Sequence, residues 1–157
     1  MKRTGGFTLI ELVVAVAIVG VLAMMAVPLL EVTAQRQKEA ELRTALRQIR
    51  GALDAYRQAV LDKKILVAAD ASGYPSDLDS LANGVTDATS PDGKKLYFLR
   101  RLPRDPFFAD GTVPAAESWG KRAYASPPDE PSDGEDVFDV YSLSDKVGLN
   151  GVRYREW

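Results

Sequence analysis

A single carboxylate, that of Glu11, lies inside a long apolar segment near the start of the chain. Residues 7–30 comprise 24 positions, of which 20 are Ala, Val, Ile, Leu, Met or Phe, and Glu11 is the one charged residue among them. As a helix, this segment would span a hydrocarbon core of about 30 Å. A carboxylate costs about 2.5–3.5 kcal/mol at the centre of a bilayer and less near its edge. Glu11 therefore needs a partner that offsets this cost, and a cation suits it.

The chain lacks the side chains on which many active sites depend. It contains no His and no Cys, which removes the usual general base, the thiol nucleophile, the disulfide framework and the common zinc ligands. Two pairs of acids, Asp77 with Asp79 and Asp133 with Glu135, lie in turn-rich segments where carboxylates are usually solvated. The composition therefore predicts that the protein is not an enzyme.

Charge is divided unevenly along the chain. Residues 31–69 carry 8 basic and 5 acidic side chains, whereas residues 70–157 carry 10 basic and 16 acidic ones. A basic stem followed by an acidic head does not suggest nucleic-acid binding. The distribution suits contacts between the stem of one copy and the head of another, although a solvated surface alone explains most of the individual charges.

Two ordinary kinds of N-terminal segment fit these residues incompletely. A cleaved secretory signal has an apolar core of 7–15 residues, but here the run is longer and the candidate cleavage site Ala15-Val16-Ala17 lies inside it. A plain transmembrane anchor fits the length and places Lys2 and Arg3 in the cytoplasm. Neither gives a reason for Gly6 or for Glu11.

A third kind of segment accounts for all of these residues. The run Gly6-Phe7-Thr8-Leu9-Ile10-Glu11-Leu12, followed by an apolar helix that contains Pro28, resembles the class III signal of type IV pilins and type II secretion pseudopilins. The resemblance implies that a prepilin peptidase cleaves between Gly6 and Phe7 and methylates the new amino terminus of Phe7. It also implies that Glu11 and Pro28 serve assembly. Pro28 would act either by loosening the helix or as a static kink.

Cleavage would supply the cation that Glu11 needs. The new amine at Phe7 lies at spacing i to i+4 from Glu11, where side chains share one helical face. The carboxylate can pair with its own terminus or with the amine of a neighbouring subunit in a filament, and such a pair is strong in a low dielectric. The alternative is that Glu11 reaches the lipid headgroups and only marks topology.

Beyond the apolar segment, the apolar residues become periodic and predict an amphipathic helix. Leu42, Leu46, Ile49, Leu53 and Tyr56 recur at steps of three and four residues. We expect one helix from about residue 7 to about residue 68. The expected organisation is as follows: a leader at residues 1–6, a transmembrane and filament-core helix at 7–30, and a periplasmic head at 31–157 that includes the amphipathic helix 31–68.

The rest of the head predicts a small antiparallel sheet. A short helix is expected at 76–82 with Leu78 and Leu81 facing inward, and residues 83–95 are expected to form a loop. Strands are predicted in three short segments: residues 122–126, 137–143 and 152–157. The fold class is therefore α+β, a pilin-like fold in which the long N-terminal helix packs on the sheet.

Motifs in the head also resemble one branch of the family. The stretch Leu102-Pro103-Arg104-Asp105-Pro106-Phe107, then Trp119-Gly120, and then Tyr141-Ser142-Leu143-Ser144-Asp145 follow the order seen in major, G-type pseudopilins. The chain departs from that pattern in having Phe107 and an insertion before Trp119-Gly120. The cysteine pair of many type IV pilins is missing, which favours a pseudopilin.

The G-type resemblance implies a calcium site in the loop of residues 142–151. Asp145 and Asn150 are the candidate ligands, because hard oxygen donors are what Ca²⁺ prefers. Lys146 lies where a small residue is expected, and no second acid follows nearby. A turn closed by ordinary hydrogen bonds is therefore the alternative.

The expected function is that of a pseudopilin, a structural subunit of the type II secretion system. Its expected place is the bacterial inner membrane, crossed once, with the N-terminus cytoplasmic and the head periplasmic. The expected partners are copies of itself in a homo-oligomeric filament, other pseudopilins, the prepilin peptidase and the inner-membrane assembly platform. The alternative is a major or minor pilin of a type IV pilus, and a membrane-anchored enzyme or receptor is a third class with little support.

Overall fold

The computed structural model of the chain describes residues 6–157, except for the side chains of residues 25–28. Two compact units are present, one extending to Gln37 and the other from Lys38 to Trp157. Helix α1 (Leu9–Leu61) begins in the first unit and ends in the second. The other elements all lie in the second unit: α2 (Ser80–Asn83), β1 (Val85–Thr86), β2 (Lys95–Leu96), a 3₁₀ turn (Ala115–Ser118), β3 (Trp119–Arg122), β4 (Asp139–Ser142) and a second 3₁₀ turn (Tyr154–Glu156).

The first unit is a helix whose apolar side chains are not covered by other parts of the chain. Large apolar residues from Leu9 to Leu30 are exposed wherever their side chains are described. The most apolar 18-residue window of α1 has a mean hydropathy of 2.8 and is 0% buried. Such a helix is long and apolar enough to cross a membrane. In water its surface would be unfavourable, because apolar area is stabilised by removal from solvent.

In the second unit, the amphipathic face of α1 forms one side of the core, as predicted. Its stripe of apolar residues is almost fully buried: Leu42, Leu46, Ile49, Leu53 and Tyr56. Facing side chains come from the sheet and from the loops: Leu78, Leu81, Trp119, Val137, Val140 and Tyr154. The helix therefore uses a period of three to four residues to bury one face against the rest of the head.

Helix α1 ends at Leu61, earlier than the predicted end near residue 68. The Lys63 backbone has a φ of 59°, the left-handed conformation. The Lys64 amide donates to the Ala59 carbonyl, and the Lys63 amide donates to the Val60 carbonyl. This pair of bonds is a Schellman motif, which satisfies the last carbonyls of a helix and stops it.

Two antiparallel pairs of strands form the sheet structure. The prediction of a loop at 83–95 was wrong for Val85, Thr86 and Lys95, which belong to the β1–β2 hairpin, with Val85 opposite Leu96. Strand β4 lies within the predicted strand 137–143 and pairs with β3, with Trp119 opposite Ser142 and Arg122 opposite Asp139. The prediction of a strand at 122–126 was wrong for residues 123–126. The strand lies before them, and Ala123 instead donates its amide to the Ser132 carbonyl across a loop.

The C-terminal segment also differs from the prediction. Residues 152–157 form no strand, and Tyr154–Glu156 is a 3₁₀ turn beside an isolated bridge from Val147 to Arg153. In this turn the Tyr154 ring stacks on Phe107, with centroids 4.0 Å apart. The predicted short helix at 76–82 is reduced to the single turn α2, although Leu78 and Leu81 are buried as predicted.

Candidate processing and assembly site

The predicted cleavage junction lies in non-helical chain immediately before α1. Gly6, Phe7 and Thr8 precede the first helical residue, Leu9, and the Phe7 residue is 91% exposed. A Cβ built at Gly6 would meet no other atom within 4 Å. The described chain therefore leaves the Gly6–Phe7 bond accessible. Its own packing does not require glycine at this position.

Thr8 and Glu11 satisfy each other's polar groups at the start of the helix. The Thr8 amide and the Thr8 hydroxyl both donate to Glu11 Oε2, each at 2.8 Å. In return the Glu11 amide donates to Thr8 Oγ1 at 3.3 Å. This reciprocal arrangement is a capping box, which pairs amides that the first turn of a helix leaves without partners. The Thr-x-x-Glu spacing of Thr8 and Glu11 is the sequence signature of a capping box. We predicted an ion pair for Glu11 but not this capping role.

The capping box engages only one oxygen of the Glu11 carboxylate. Both hydrogen bonds from Thr8 end at Oε2, and within residues 6–157 no hydrogen bond to Oε1 occurs. A cation close to Phe7 can therefore bind Oε1 without displacing Thr8. The Phe7–Glu11 pair stays a prediction, and Glu11 Oε1 is the acceptor available for it.

A shallow apolar groove runs along the helix from Glu11. It has a volume of about 320 Å³ and is lined by Ile10, Glu11, Val14, Ala15 and Ile18. Grooves between rows of side chains are the surfaces into which the ridges of a second helix pack. The first turns of α1 thus present an acceptor oxygen beside an apolar packing surface.

Two predictions fall outside the described residues. The side chain of Pro28 belongs to the undescribed stretch 25–28, so both hypotheses for it, a loosened helix and a static kink, stay predictions. Residues 1–5 of the predicted leader are likewise not described.

The two candidate calcium ligands already have protein partners. Arg155 Nη1 lies 3.7 Å from Asp145 Oδ1, on a side chain that is 83% exposed. Asn150 Oδ1 accepts the Val152 amide at 3.1 Å. Among the described residues, no three acidic side chains group together in a way that could hold a metal ion. Backbone carbonyls and water also ligate Ca²⁺, so the calcium site that the resemblance implies stays a prediction.

The loop is held by a buried acid on α1 that we did not predict from the sequence. Glu39 is 5% exposed, and its Oε1 accepts the Leu149 amide at 2.8 Å and the Tyr154 hydroxyl at 3.0 Å. Glu39 lies three residues before Leu42, in register with the apolar stripe. The position of Glu39 could have indicated this role, because a carboxylate in register with a core-facing row is buried and must be hydrogen-bonded.

The Asp105 motif has a structural role in the head. Asp105 is 1% exposed, and its carboxylate accepts the Ser142 hydroxyl at 2.6 Å and the Phe107 amide at 2.8 Å. Burial raises the pKa of Asp105 above its ordinary value, and the two hydrogen bonds partly oppose that rise. Trp119 Nε1 donates to the Pro103 carbonyl at 2.9 Å. The motif therefore fixes the 103–107 segment to strands β3 and β4.

A long helix with an uncovered apolar half and an amphipathic half, followed by small antiparallel sheets, defines the pilin-like class of α+β proteins. The sequence profile described as "Prokaryotic N-terminal methylation motif" matches residues 1–27. It covers the predicted cleavage junction and the capping box.

Relatives extend the match into the head. The type II secretion system core protein G of Klebsiella pneumoniae is 32% identical over 114 residues, which cover 70% of this chain and 74% of the relative. The protein of the same name from Dickeya chrysanthemi is 27% identical over 155 residues, 96% of this chain and 94% of the relative. A fimbrial protein of Pseudomonas aeruginosa is 33% identical over 122 residues, 77% of this chain and 71% of the relative. No solved structure matches. The chain belongs to the type II secretion system core protein G family.

Proposed function

We propose that the chain is a pseudopilin, a structural subunit of the type II secretion system. Processed subunits assemble into a periplasmic pseudopilus, whose growth drives folded proteins across the outer membrane. The observation that carries this proposal is the exposed Gly6–Phe7 junction, placed directly before a capped and uncovered apolar helix. The role is structural rather than catalytic.

Before assembly, the apolar part of α1 is an anchor. The helix crosses the inner membrane once, with Lys2 and Arg3 on the cytoplasmic side by the positive-inside rule and the head in the periplasm. A prepilin peptidase then cuts between Gly6 and Phe7 and methylates the new amine. Cleavage removes both leader cations and leaves one cation beside Glu11 Oε1.

After assembly, the same helix forms the core of a filament. Apolar side chains that lipid covers in the membrane are then covered by helices of neighbouring subunits, through grooves such as the one lined by Val14 and Ile18. The Glu11 carboxylate pairs with the Phe7 amine of its own or a neighbouring chain. The partners are copies of this chain, other pseudopilins, the prepilin peptidase and the inner-membrane assembly platform.

Deletion of the gene in the source organism tests the secretion role. We expect exported enzymes to accumulate in the periplasm, twitching motility to persist, and a plasmid copy of the full chain to restore secretion. The similarity to a fimbrial protein makes a pilus subunit the rival function. Loss of twitching with normal secretion would favour that rival and contradict the proposal.

A further inference from the structure

We propose that an arginine-lined groove on the stem of one subunit binds an acidic loop on the head of a neighbouring copy. The arginine groove is defined by Arg43, Arg47, Arg50 and Trp157, and the acidic loop by residues 129–136. This inference rests on the proposed filament function and adds the surface by which adjacent heads contact each other.

The arginine groove is a cavity of about 430 Å³ beside α1. Arg43, Arg47 and Arg50 recur at steps of four and three residues, so they lie on one helical face. The Arg43 guanidinium stacks over the Trp157 ring at 4.3 Å. Glu156 also lines the groove, and Asp139 pairs with Arg50, so Arg43 and Arg47 carry the excess of positive charge.

The three arginines differ in the contacts that they already make within the head. Arg50 pairs with Asp139 at 2.7 Å and also donates to the Trp157 carbonyl. Arg47 is exposed, bonds only to the neighbouring Thr44 hydroxyl at 3.4 Å, and makes no ion pair within the described residues. Arg47 is thus a guanidinium placed for an outside carboxylate, which it can bind through two parallel hydrogen bonds.

The acidic loop concentrates negative charge on a constrained segment. Five of its eight residues are acids and none is basic. Asp129, Glu130, Asp133 and Glu135 are exposed, and in the described part of the chain none of them makes an ion pair. Solvent ions screen the repulsion among them, and a cationic partner would relieve it further.

Hydrogen bonds to side chains and nearby prolines restrain this loop. The Ser132 amide donates to Ser126 Oγ at 2.9 Å, and the Tyr124 amide donates to Asp136 Oδ1 at 2.8 Å. Pro131 within the loop, and Pro127 and Pro128 directly before it, restrict it further. An ordered loop loses little conformational entropy on binding, so its charge is available to a partner.

The loop and the groove occupy different positions along α1. The loop is attached beside Tyr124, whose ring lies 6.0 Å from the Arg57 guanidinium. Arg57 lies ten residues beyond Arg47, which is about 15 Å along a helix axis. A contact between two unlike surfaces of identical chains is heterologous, and an axial offset makes such contacts repeat as an open filament.

Charge reversal tests the contact in the full-length chain, expressed with its prepilin peptidase and assembly machinery. Filaments are collected by centrifugation and quantified by immunoblot. Arg47→Glu alone and Asp133→Arg alone should each reduce filament recovery, and the double variant should restore it. Arg101→Glu and Asp92→Arg, which reverse exposed charges elsewhere in the head, are the matched controls and should assemble normally.

Cross-linking supplies a second readout, since the natural chain has no cysteine. One chain carries Arg47→Cys and a second, tagged to differ in size, carries Asp133→Cys. Co-expression and mild oxidation should give a disulfide-linked heterodimer, more abundant than the homodimer that either variant forms alone.

The outcomes separate this inference from the function on which it rests. Filaments that assemble normally with Arg47→Glu and with Asp133→Arg, and no heterodimer, would overturn the contact while leaving the pseudopilin role intact. A wild-type chain that is neither cleaved nor assembled would overturn both.

Discussion

The buried carboxylate of Glu39 accepts the Tyr154 hydroxyl at 3.0 Å, although the two residues are separated by 115 positions. The same oxygen accepts the Leu149 amide. Because Glu39 lies on α1 and Tyr154 in the last turn of the chain, one side chain fastens the C-terminal segment to the helix. A protein carboxylate thus fixes the end of the loop in which a metal ion was expected.

Replacement of Glu39 should destabilise the head strongly. Glu39→Ala removes the acceptor of the buried Tyr154 hydroxyl and of the Leu149 amide, and we expect a loss of about 2–4 kcal/mol in the free energy of unfolding. Glu39→Gln keeps an acceptor and should lose less. Denaturant unfolding of the full chain in detergent, followed by Trp fluorescence, measures both.

Asp54 provides the control for Glu39, because it is an exposed acid on the same helix. Asp54→Ala should change the free energy of unfolding by no more than about 0.5 kcal/mol. Equal effects of Glu39→Ala and Asp54→Ala would contradict the anchoring role of Glu39.

Asp105 should make the stability of the head depend on pH. Its folded-state pKa is raised above the ordinary value of 3.8. The stabilising contribution is therefore fully present below pH 3.8 and is lost as pH rises through the raised pKa. Asp105→Asn cannot titrate, so the stability of the wild type relative to this variant should fall as pH increases from 3.8.

Unfolding of the wild type and Asp105→Asn across this pH range checks the prediction. Other carboxylates titrate in both proteins and cancel in the difference. A difference that instead grows in favour of the wild type with rising pH would show that the folded state lowers the pKa of Asp105.

Calcium should have little effect on the melting temperature of the head. Asp145 is paired with Arg155, and Asn150 with the Val152 amide, so a bound ion would compete with both contacts. We expect the same Tm in calcium and in EDTA. A calcium-dependent rise in Tm that Asp145→Ala abolishes would contradict this prediction and establish the site that the family resemblance implied.

The charge of Glu11 and its capping role can be separated by two substitutions. Thr8→Ala removes the cap but keeps the charge, and should cost about 1 kcal/mol of helix stability while filaments still form. Glu11→Gln keeps an acceptor for the Thr8 amide but removes the charge that we propose to pair with the Phe7 amine. We expect it to enter the membrane and be cleaved, but to assemble poorly, because the amine is left unpaired in a low dielectric.

Filament recovery and cleavage, both followed by immunoblot, distinguish these cases. Normal assembly of Glu11→Gln would contradict the ion pair. If Thr8→Ala reduced filament recovery as much as Glu11→Gln, the role of Glu11 in assembly would be helix capping alone.

Sequence patterns predicted those parts of the fold that depend on periodic burial. The stripe from Leu42 to Tyr56 and the strand around Val140 follow from the spacing of apolar residues, and both are confirmed. The end of α1 could not be read in this way, because Lys63 rather than glycine occupies the left-handed position of the Schellman motif. Side-chain preference gives no signal for a lysine in that conformation.

The functional residues were predictable only where they lie close together in the sequence. Gly6, Phe7 and Glu11 form a local motif, so their proximity follows from neighbouring positions in the sequence. Glu39 and Tyr154 are brought together by the whole fold of the head, and no short motif records such a pairing. The segment at 152–157 was predicted to be a strand because it is apolar and aromatic, but it contains a 3₁₀ turn in which the Tyr154 ring stacks on Phe107.

The proposed function depends first on cleavage of the chain by a prepilin peptidase between Gly6 and Phe7. The intact mass of the full chain after co-expression with that peptidase tests this cleavage directly. We expect the mass to fall by residues 1–6 and to rise by one methyl group, with Phe7 as the new first residue in tandem mass spectra. Phe7→Ala should still be cleaved, whereas Gly6→Val should remain a precursor if the peptidase requires glycine. An uncleaved wild-type chain in the presence of an active peptidase would contradict the account.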